Sequence, residues 1–211
     1  MEKVNKNIMF VVLLFISMIL IFTGISIAVF NYFGTGMTNN VIQTGKIIFS
    51  YNEEGGVSNG INIQDALPVP DETGKVLSGS HEYFEFSVSA TTPNTNLTYE
   101  IVAKKGEDST LDEKYVKIYL TSFEGNSEVA TPLSTNNGNV VTYSELKDTT
   151  NQFLEGKTIY YGTVKAGEVS YGKRFCLRMW IKESDEEGYD FSDINDKTFS
   201  VKVDVAATSV Y

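Results

Sequence analysis

The stretch KTFSVKVDVA, residues 197–206, decides the fold because its apolar and polar residues alternate along most of its length. A period of two places successive side chains on opposite faces of a β-strand. One face of this strand is apolar and carries Phe199, Val201, Val203 and Val205. The other face carries Ser200, Lys202 and Asp204. The stretch therefore predicts a strand that buries one face in a core and turns the other to solvent.

The same alternation recurs between clusters of Gly, Asn, Asp and Ser, which favour turns. It is clear in four further stretches: His81–Ser89, Leu97–Lys104, Tyr115–Thr121 and Arg174–Lys182. It is weaker in four others: Val41–Tyr51, Ile61–Ile63, Val140–Tyr143 and Thr158–Val164. Because no helical pattern of ten or more residues separates these stretches, a βαβ architecture is excluded. The sequence predicts an all-β fold, an antiparallel two-sheet β-sandwich with jelly-roll-like connections.

Polar stretches divide the chain further. Loops are predicted over residues 52–59, 122–139 and 183–196, and the second of these is expected to be a long exposed excursion. The sandwich domain is predicted to span residues 41–211. A tether over residues 32–40 precedes it, since its Gly, Thr and Asn content favours a flexible chain.

Residues 8–30, IMFVVLLFISMILIFTGISIAVF, carry no charged side chain. At about 1.5 Å per residue, a helix of this length crosses a hydrocarbon core of about 30 Å. Lys3 and Lys6 precede the stretch, and no Lys or Arg follows before Lys46. The positive-inside rule therefore predicts one N-terminal transmembrane or signal helix within residues 1–31. It would contact the lipid bilayer through residues 8–30 and leave the following domain outside the cell.

The sequence leaves the fate of this helix open. Ser26 and Ala28 are small residues at the −3 and −1 positions of a cleavage site, and a cut there would start the mature chain at Val29. The apolar stretch is nevertheless long for a cleaved leader. The protein is thus expected either to span the membrane once or to be secreted to the cell surface after cleavage.

The composition excludes several classes of function. The chain has 211 residues, a net charge of -10, one Cys and one His. An internal disulfide, a Cys-based zinc site and a His-rich metal site are therefore excluded. The acidic balance argues against nucleic acid as a partner. Because the chain holds no G-x-S-x-G, H-E-x-x-H, P-loop or G-x-G-x-x-G motif, no enzymatic activity and no catalytic residue are predicted, and His81 is interpreted as a strand-end residue.

The densest group of acidic residues lies in SDEEGYDFSDINDK, residues 184–197. Carboxylates of acidic loops supply the oxygen ligands that calcium prefers. The candidate ligands are Asp185, Glu186, Glu187 and Asp190, although their spacing does not match an EF-hand. A solvated acidic loop is the favoured alternative, and no other cofactor is predicted.

One strand carries the remaining candidate chemistry. Cys176 shares a face with Arg174 and Arg178, which would lower the pKa of its thiol, but a thiol without chemistry is the favoured interpretation. Trp180 lies on the same face, where stacking of Arg178 on the indole is expected. Several tyrosines allow a sugar-binding stripe, although cross-strand packing is favoured; they are Tyr83, Tyr99, Tyr115, Tyr119, Tyr160 and Tyr161.

Two groups of residues are similar to those of a known family. The first runs from the apolar leader through Ala28, Phe30, Phe33, Asn40 and Gly45 into Lys46–Tyr51. The second is Tyr171–Ile181, followed by Phe199–Val205. On these residues the chain resembles the TasA/camelysin family, exported β-sandwich proteins of Gram-positive bacteria. Thr44-Gly45 stands where that family has an alanine-glycine step.

The resemblance implies a jelly-roll subunit of extracellular matrix fibres. In such fibres an N-terminal segment of one subunit adds a strand to the sheet of the next. Residues 29–40 would be that segment here if the chain were cut after Ala28.

Two hypotheses about function follow. The first is a non-enzymatic cell-surface or extracellular-matrix protein with a structural role, which self-associates by strand addition as a fibre subunit. The alternative is a membrane-anchored, adhesin-type module that binds a glycan or a protein through the loops of residues 122–139 and 183–196. A surface hydrolase is disfavoured because no catalytic motif is present.

Overall fold

The structure, a computed structural model, describes residues 31–35, 40–44, 47–56, 60–64, 67–79, 83–134, 139–183 and 191–210. Residues 31–211 form one compact unit. Their strands are β1 (Asn31–Thr35), β2 (Asn40–Thr44), β3 (Ile47–Gly56), β4 (Ile61–Gln64), β5 (Tyr83–Thr92), β6 (Asn96–Lys105), β7 (Val116–Glu124), β8 (Ser127–Ala130), β9 (Val140–Thr142), β10 (Lys157–Val164), β11 (Glu168–Ile181) and β12 (Thr198–Val210). The helical elements are α1 (Asp71–Gly74) and 3-10 turns at Glu113–Tyr115, Tyr143–Glu145 and Phe191–Asp193.

The strands form two antiparallel sheets. The five-stranded sheet has the order β1-β12-β6-β10. Strand β4 pairs with the beginning of β12, on the same edge whose later part pairs with β1. The seven-stranded sheet has the order β2-β3-β5-β11-β7-β8, and β9 also pairs with β7. With almost no helix in the described residues, this architecture confirms the predicted all-β fold with two sheets.

The core lies between the sheets and is built from the apolar faces that the alternation predicts. Phe199, Val201, Val203 and Val205 on β12 are at most 1% exposed. On the facing sheet, Phe86 stacks on Phe175 with ring centroids 5.3 Å apart. Burial of each such side chain contributes about 1.5–3 kcal/mol. The predicted inward faces are therefore confirmed for these strands.

Two N-terminal predictions differ from the structure. Residues 32–40 are predicted as a flexible tether, whereas Asn31–Thr35 form β1, with Asn31 opposite Thr208 and Thr35 opposite Asp204. Residues 41–51 are predicted as one strand, whereas β2 and β3 pair with each other as a hairpin. Composition misses both features because pairing with a partner strand, and not local sequence, fixes these short strands.

The predicted excursion over residues 122–139 is wrong for its first half. Ser122–Glu124 end β7, and Ser127–Ala130 return alongside it as β8. Gly125 has a φ of 63°, which suits the two-residue connection between Glu124 and Ser127. The Gly-Asn dipeptide at residues 125–126 is therefore the turn of a hairpin.

The N-terminal helix lies outside the described residues, as do Ser26, Ala28 and Val29. Within the part of the chain that the structure does describe, none of the helices has the length and apolar character needed to cross a bilayer. The predicted anchor over residues 8–30 and the predicted cleavage site stay predictions.

We predict that Gly162→Ala destabilises the protein, whereas Gly172→Ala leaves its stability nearly unchanged. A Cβ at Gly162 in β10 would lie 2.1 Å from the ring of Tyr99. That ring cannot retreat, because it is 1% exposed and its hydroxyl shares a 2.7 Å hydrogen bond with that of Tyr171. Overpacking of this kind costs about 1–3 kcal/mol.

Gly172 in β11 is the matched control, since a Cβ there would meet no atom within 4 Å. Urea denaturation of the two variants measures the difference between their free energies of unfolding. Equal midpoints for both variants would contradict the close contact at Gly162.

Candidate ligand-binding face

The outer face of the seven-stranded sheet carries both arginines, the one cysteine and the one tryptophan of the sequence. Along β11, Phe175, Leu177, Met179 and Ile181 enter the core, so the alternate residues lie on the outer face. These are Arg174, Cys176, Arg178 and Trp180. In the sheet register, Arg178 lies between Tyr83 of β5 and Tyr119 of β7, and Cys176 lies between Glu85 and Thr121.

A segment of residues 67–79, which we name the strap, covers one end of this face. The backbone N–H of Val69 donates to the carbonyl of Ile181 at 3.1 Å. Helix α1 presses Gly74 against Trp180, and a Cβ on Gly74 would lie 2.2 Å from the indole. The indole N–H donates to Asp71 Oδ1 at 3.3 Å. The strap therefore buries Trp180, which is only 3% exposed.

Next to Trp180, a carboxylate neutralises the guanidinium of Arg178. Its Nη1 and Nη2 both donate to Glu128 of β8, the second over 3.1 Å, and its Nε donates to the carbonyl of Leu77 in the strap at 2.8 Å. The hydroxyl of Thr121 also donates to Glu128. Burial opposes the charged form of Glu128, but the bonds from Arg178 and Thr121 outweigh it and hold the pKa of the carboxyl below its ordinary value.

Beyond the strap the face is open. We name as the open half the residues Ser87, Ser89, Phe123, Gly172 and Arg174. The guanidinium carbon of Arg174 lies 3.7 Å from the ring centroid of Phe123, which is a stacked cation–π contact. Gly172 lies opposite Ser89, and the space above it is empty to 4 Å. The centre of the sheet is therefore accessible at this end.

Arg174 differs from Arg178 in having no anionic partner. Its Nε is buried and makes no hydrogen bond. Among the described residues, no carboxylate forms an ion pair with it. A charged group in a partly buried position gains considerably from an anion, because its own hydration is incomplete. The open half therefore presents a cation that no carboxylate of the described residues neutralises.

A second concave region is a cleft of about 480 Å³ at the start of β10, and it is less suited to binding. Three lysines line it, and each forms an ion pair within the protein: Lys104 with Glu155 at 2.7 Å, Lys105 with Glu113 at 3.3 Å, and Lys157 with Asp148 at 3.1 Å. Its aromatic ring, Tyr143, is 1% exposed and so offers no stacking surface. The cleft has no unpaired lysine to offer a ligand.

The candidate nucleophile is not activated. Cys176 is fully buried, and this burial raises the pKa of its thiol to about 12, although Arg178 acts in the opposite direction. The thiol is therefore protonated at neutral pH, and the favoured interpretation of a thiol without chemistry agrees with its position. The expected stacking of Arg178 on Trp180 is wrong, because Arg178 pairs with Glu128 instead.

The tyrosines divide between the core and the surface. Tyr99 and Tyr115 are 1% exposed, and Tyr99 lies beside Tyr160 and Tyr171 between the sheets. Burial raises the pKa of Tyr99 far above its ordinary value. Tyr161 is 57% exposed on β10. Cross-strand packing, the favoured interpretation, thus accounts for the buried members, and they do not form an exposed sugar-binding stripe.

The candidate calcium ligands Asp185, Glu186, Glu187 and Asp190 lie outside the described residues, as does His81. Among the residues that are described, no group of three or more potential ligand side chains could hold a metal ion. The calcium site therefore stays a prediction.

The sequence analysis missed Phe123 and Gly172 as members of a site. A signal for the site was present, because the chain contains only two arginines, Arg174 and Arg178, and they lie on one face of one strand. The sequence does not show which arginine pairs with a carboxylate, because Glu128 lies in the predicted loop of residues 122–139.

No family model and no curated protein matches this chain. Among solved structures, the chain is similar to a xylan-binding module, CBM15, with 9% identity over 76% of this chain and 96% of that one, at a TM-score of 0.24. It is also similar to TmCBM61, solved with β-1,4-galactotriose, with 10% identity over 75% and 83% at a TM-score of 0.20. A third is the K1 cleaved adhesin domain of Lys-gingipain from Porphyromonas gingivalis, with 10% identity over 86% and 98% at a TM-score of 0.22. At these TM-scores the likenesses carry no argument about function.

We predict that Glu128→Gln lowers the free energy of unfolding by about 1–3 kcal/mol at pH 7, because Arg178 loses its charged partner. A carboxyl with a lowered folded-state pKa contributes stability above its unfolded pKa and loses it as the pH falls. The difference between wild type and variant should therefore shrink below about pH 4.3.

Denaturation in urea across pH 3–7 measures this difference. Glu155→Gln is the control, since Glu155 is 81% exposed in its ion pair with Lys104 and solvent screens that pair. A pH-independent gap between wild type and Glu128→Gln would refute the role of the ion pair.

Proposed function

We propose that the protein is a non-enzymatic cell-surface module that binds an extracellular ligand on the outer face of its seven-stranded sheet. The observation that supports this proposal is the open half. There the central strand β11 exposes Gly172 beside Arg174, which no described carboxylate neutralises. A half-buried cation on a sheet, next to an aromatic ring and small side chains, offers a ligand charge and room. We thus propose a sheet face as the binding surface, and not the loops of residues 122–139 and 183–196 that the sequence predicts.

The membrane-proximal part of this proposal comes from the sequence. Residues 8–30 anchor the chain in the bilayer, or a cut after Ala28 removes the leader, and in either case the sandwich lies outside the cell. The proposed connectivity of the sandwich is jelly-roll-like. This is supported by the consecutive strands β9, β10, β11 and β12, which alternate between the two sheets.

We predict that Gly172→Val weakens ligand capture by at least tenfold. A branched side chain at Gly172 enters the floor of the open half, where a Cβ meets no atom within 4 Å. The full chain, produced in a Gram-positive host, is tested on arrays of extracellular glycans and proteins.

Thr163→Val on β10 is the matched control, because Thr163 is an exposed strand residue of the opposite sheet. Ligands that bind the wild type and the Thr163 variant but not the Gly172 variant support the proposal. Capture that survives Gly172→Val would place the binding surface elsewhere.

A second candidate function is assembly by strand addition, and the position of β1 favours it. This five-residue strand lies at the edge of the five-stranded sheet, and it begins directly after the predicted cleavage region. An edge strand that pairs through its backbone with only one neighbour can be supplied by another copy of the chain. The fibre subunit implied by the resemblance requires a segment of this kind.

We predict that Phe33→Pro/Gly34→Pro abolishes fibres in the matured protein. Neighbouring residues of a strand point their N–H groups to opposite sides, so one of these two prolines removes a donor facing β12. Phe33→Ala/Gly34→Ala is the control, since both N–H groups are kept.

Intact mass and N-terminal sequencing of the full chain from a Gram-positive host establish whether it begins at Val29, and electron microscopy scores fibres. An uncut Met1 terminus, or fibres in the proline variant, would count against assembly by strand addition.

A further inference from the structure

We propose that the open half binds a carboxylate-bearing glycan and that Arg174 holds the carboxylate. This inference rests on the proposed ligand-binding function and names the chemical class of the ligand. The comparison with Arg178 on the same strand face shows what Arg174 lacks. Two guanidinium nitrogens of Arg178 donate to the two oxygens of Glu128, whereas Arg174 contacts the ring of Phe123 and pairs with no carboxylate in the described part of the chain.

The geometry of Arg174 suits a carboxylate. A guanidinium presents a planar fork of donors that matches the two oxygens of a carboxylate. The cation–π contact with Phe123 restrains the Arg174 guanidinium before the ligand arrives, which lowers the entropy lost on binding. The Nε of Arg174 is buried, so the two Nη groups of its guanidinium are the donors left for a ligand carboxylate.

The net charge of -10 does not prevent this binding. At physiological ionic strength, charges farther apart than about 8 Å are largely screened. Repulsion of the ligand carboxylate by acidic residues on distant loops is therefore weak.

The surroundings of Arg174 favour a glycan over an acidic peptide. Strand β11 is paired on both sides, with β5 and with β7, so its backbone offers no hydrogen bonds to a peptide main chain. The floor next to Arg174 consists of Ser87, Ser89 and Gly172, which form no apolar pocket for a peptide side chain. A sugar ring carries hydroxyls around its rim, which can form hydrogen bonds with a polar floor of this kind.

The test is calorimetric titration of the full chain with oligogalacturonate and with its methyl ester, which keeps the sugar but removes the charge. We expect oligogalacturonate to bind, its ester to bind at least tenfold more weakly, and Arg174→Ala to weaken binding of the acid by tenfold to a hundredfold. Arg174→Lys should recover part of the loss, because a lysine keeps the charge but not the fork.

Lys202→Ala is the matched control, since Lys202 is an exposed cation on β12 in the opposite sheet. Melting curves of all variants establish that each is folded. Wild-type affinity in a folded Arg174→Ala variant, or loss of affinity in Lys202→Ala, would overturn the assignment of Arg174.

Two further results separate this inference from the function on which it rests. Equal binding of the acid and the ester, with both lost in Gly172→Val, would overturn the carboxylate but leave the binding face intact. Binding of polyglutamate in place of oligogalacturonate would overturn the glycan and identify an acidic peptide. If none of the probes binds in a way that Gly172→Val weakens, both proposals are overturned.

Discussion

The packing of Phe175 between the two sheets is the contact on which the rest of the structure depends. Its ring stacks on Phe86 within its own sheet, 5.3 Å away, and meets Tyr160 of the opposite sheet at 5.1 Å. Because side chains of a strand alternate strictly, an inward Phe175 requires that its neighbours Arg174 and Cys176 lie on the outer face. A slip of one residue would bury two arginines in the core, which no available contact could compensate.

This constraint puts two identical side chains into contrasting surroundings. The strap covers Arg178, whose Nε donates to the carbonyl of Leu77, whereas Arg174, four residues earlier on β11, is half-buried. Arg178 is 8% exposed and needs the carboxylate of Glu128, because a buried charge without a partner costs several kcal/mol. Arg174 keeps partial contact with water and is held by the face of Phe123 instead. Cover by the strap thus distinguishes the structural arginine, Arg178, from Arg174, which is available to a ligand.

The alternation in the sequence was sufficient to predict the inner face of the sandwich but not its outer face. Phe199, Val201 and the other residues of KTFSVKVDVA follow a local pattern that the core then satisfies. Trp180 and Cys176 occupy positions that such a pattern assigns to solvent, yet both are buried. Their burial comes from Gly74 and Glu128, which are distant in sequence and whose positions depend on the folded sheets. The same holds for β1, whose pairing with β12 joins the two ends of the domain.

The buried thiol between the two arginines strengthens the case for non-covalent binding at this face. A thiolate at Cys176 would be a negative charge on the same strand face as Arg174 and Arg178, and it would compete with any ligand carboxylate. Burial raises the pKa of the thiol to about 12, so the sulfur stays neutral at physiological pH. The positive charge of Arg178 is already matched by Glu128. Of the two arginines on this strand face, Arg174 is consequently the one that no described carboxylate pairs with, so its charge is left for an external anion.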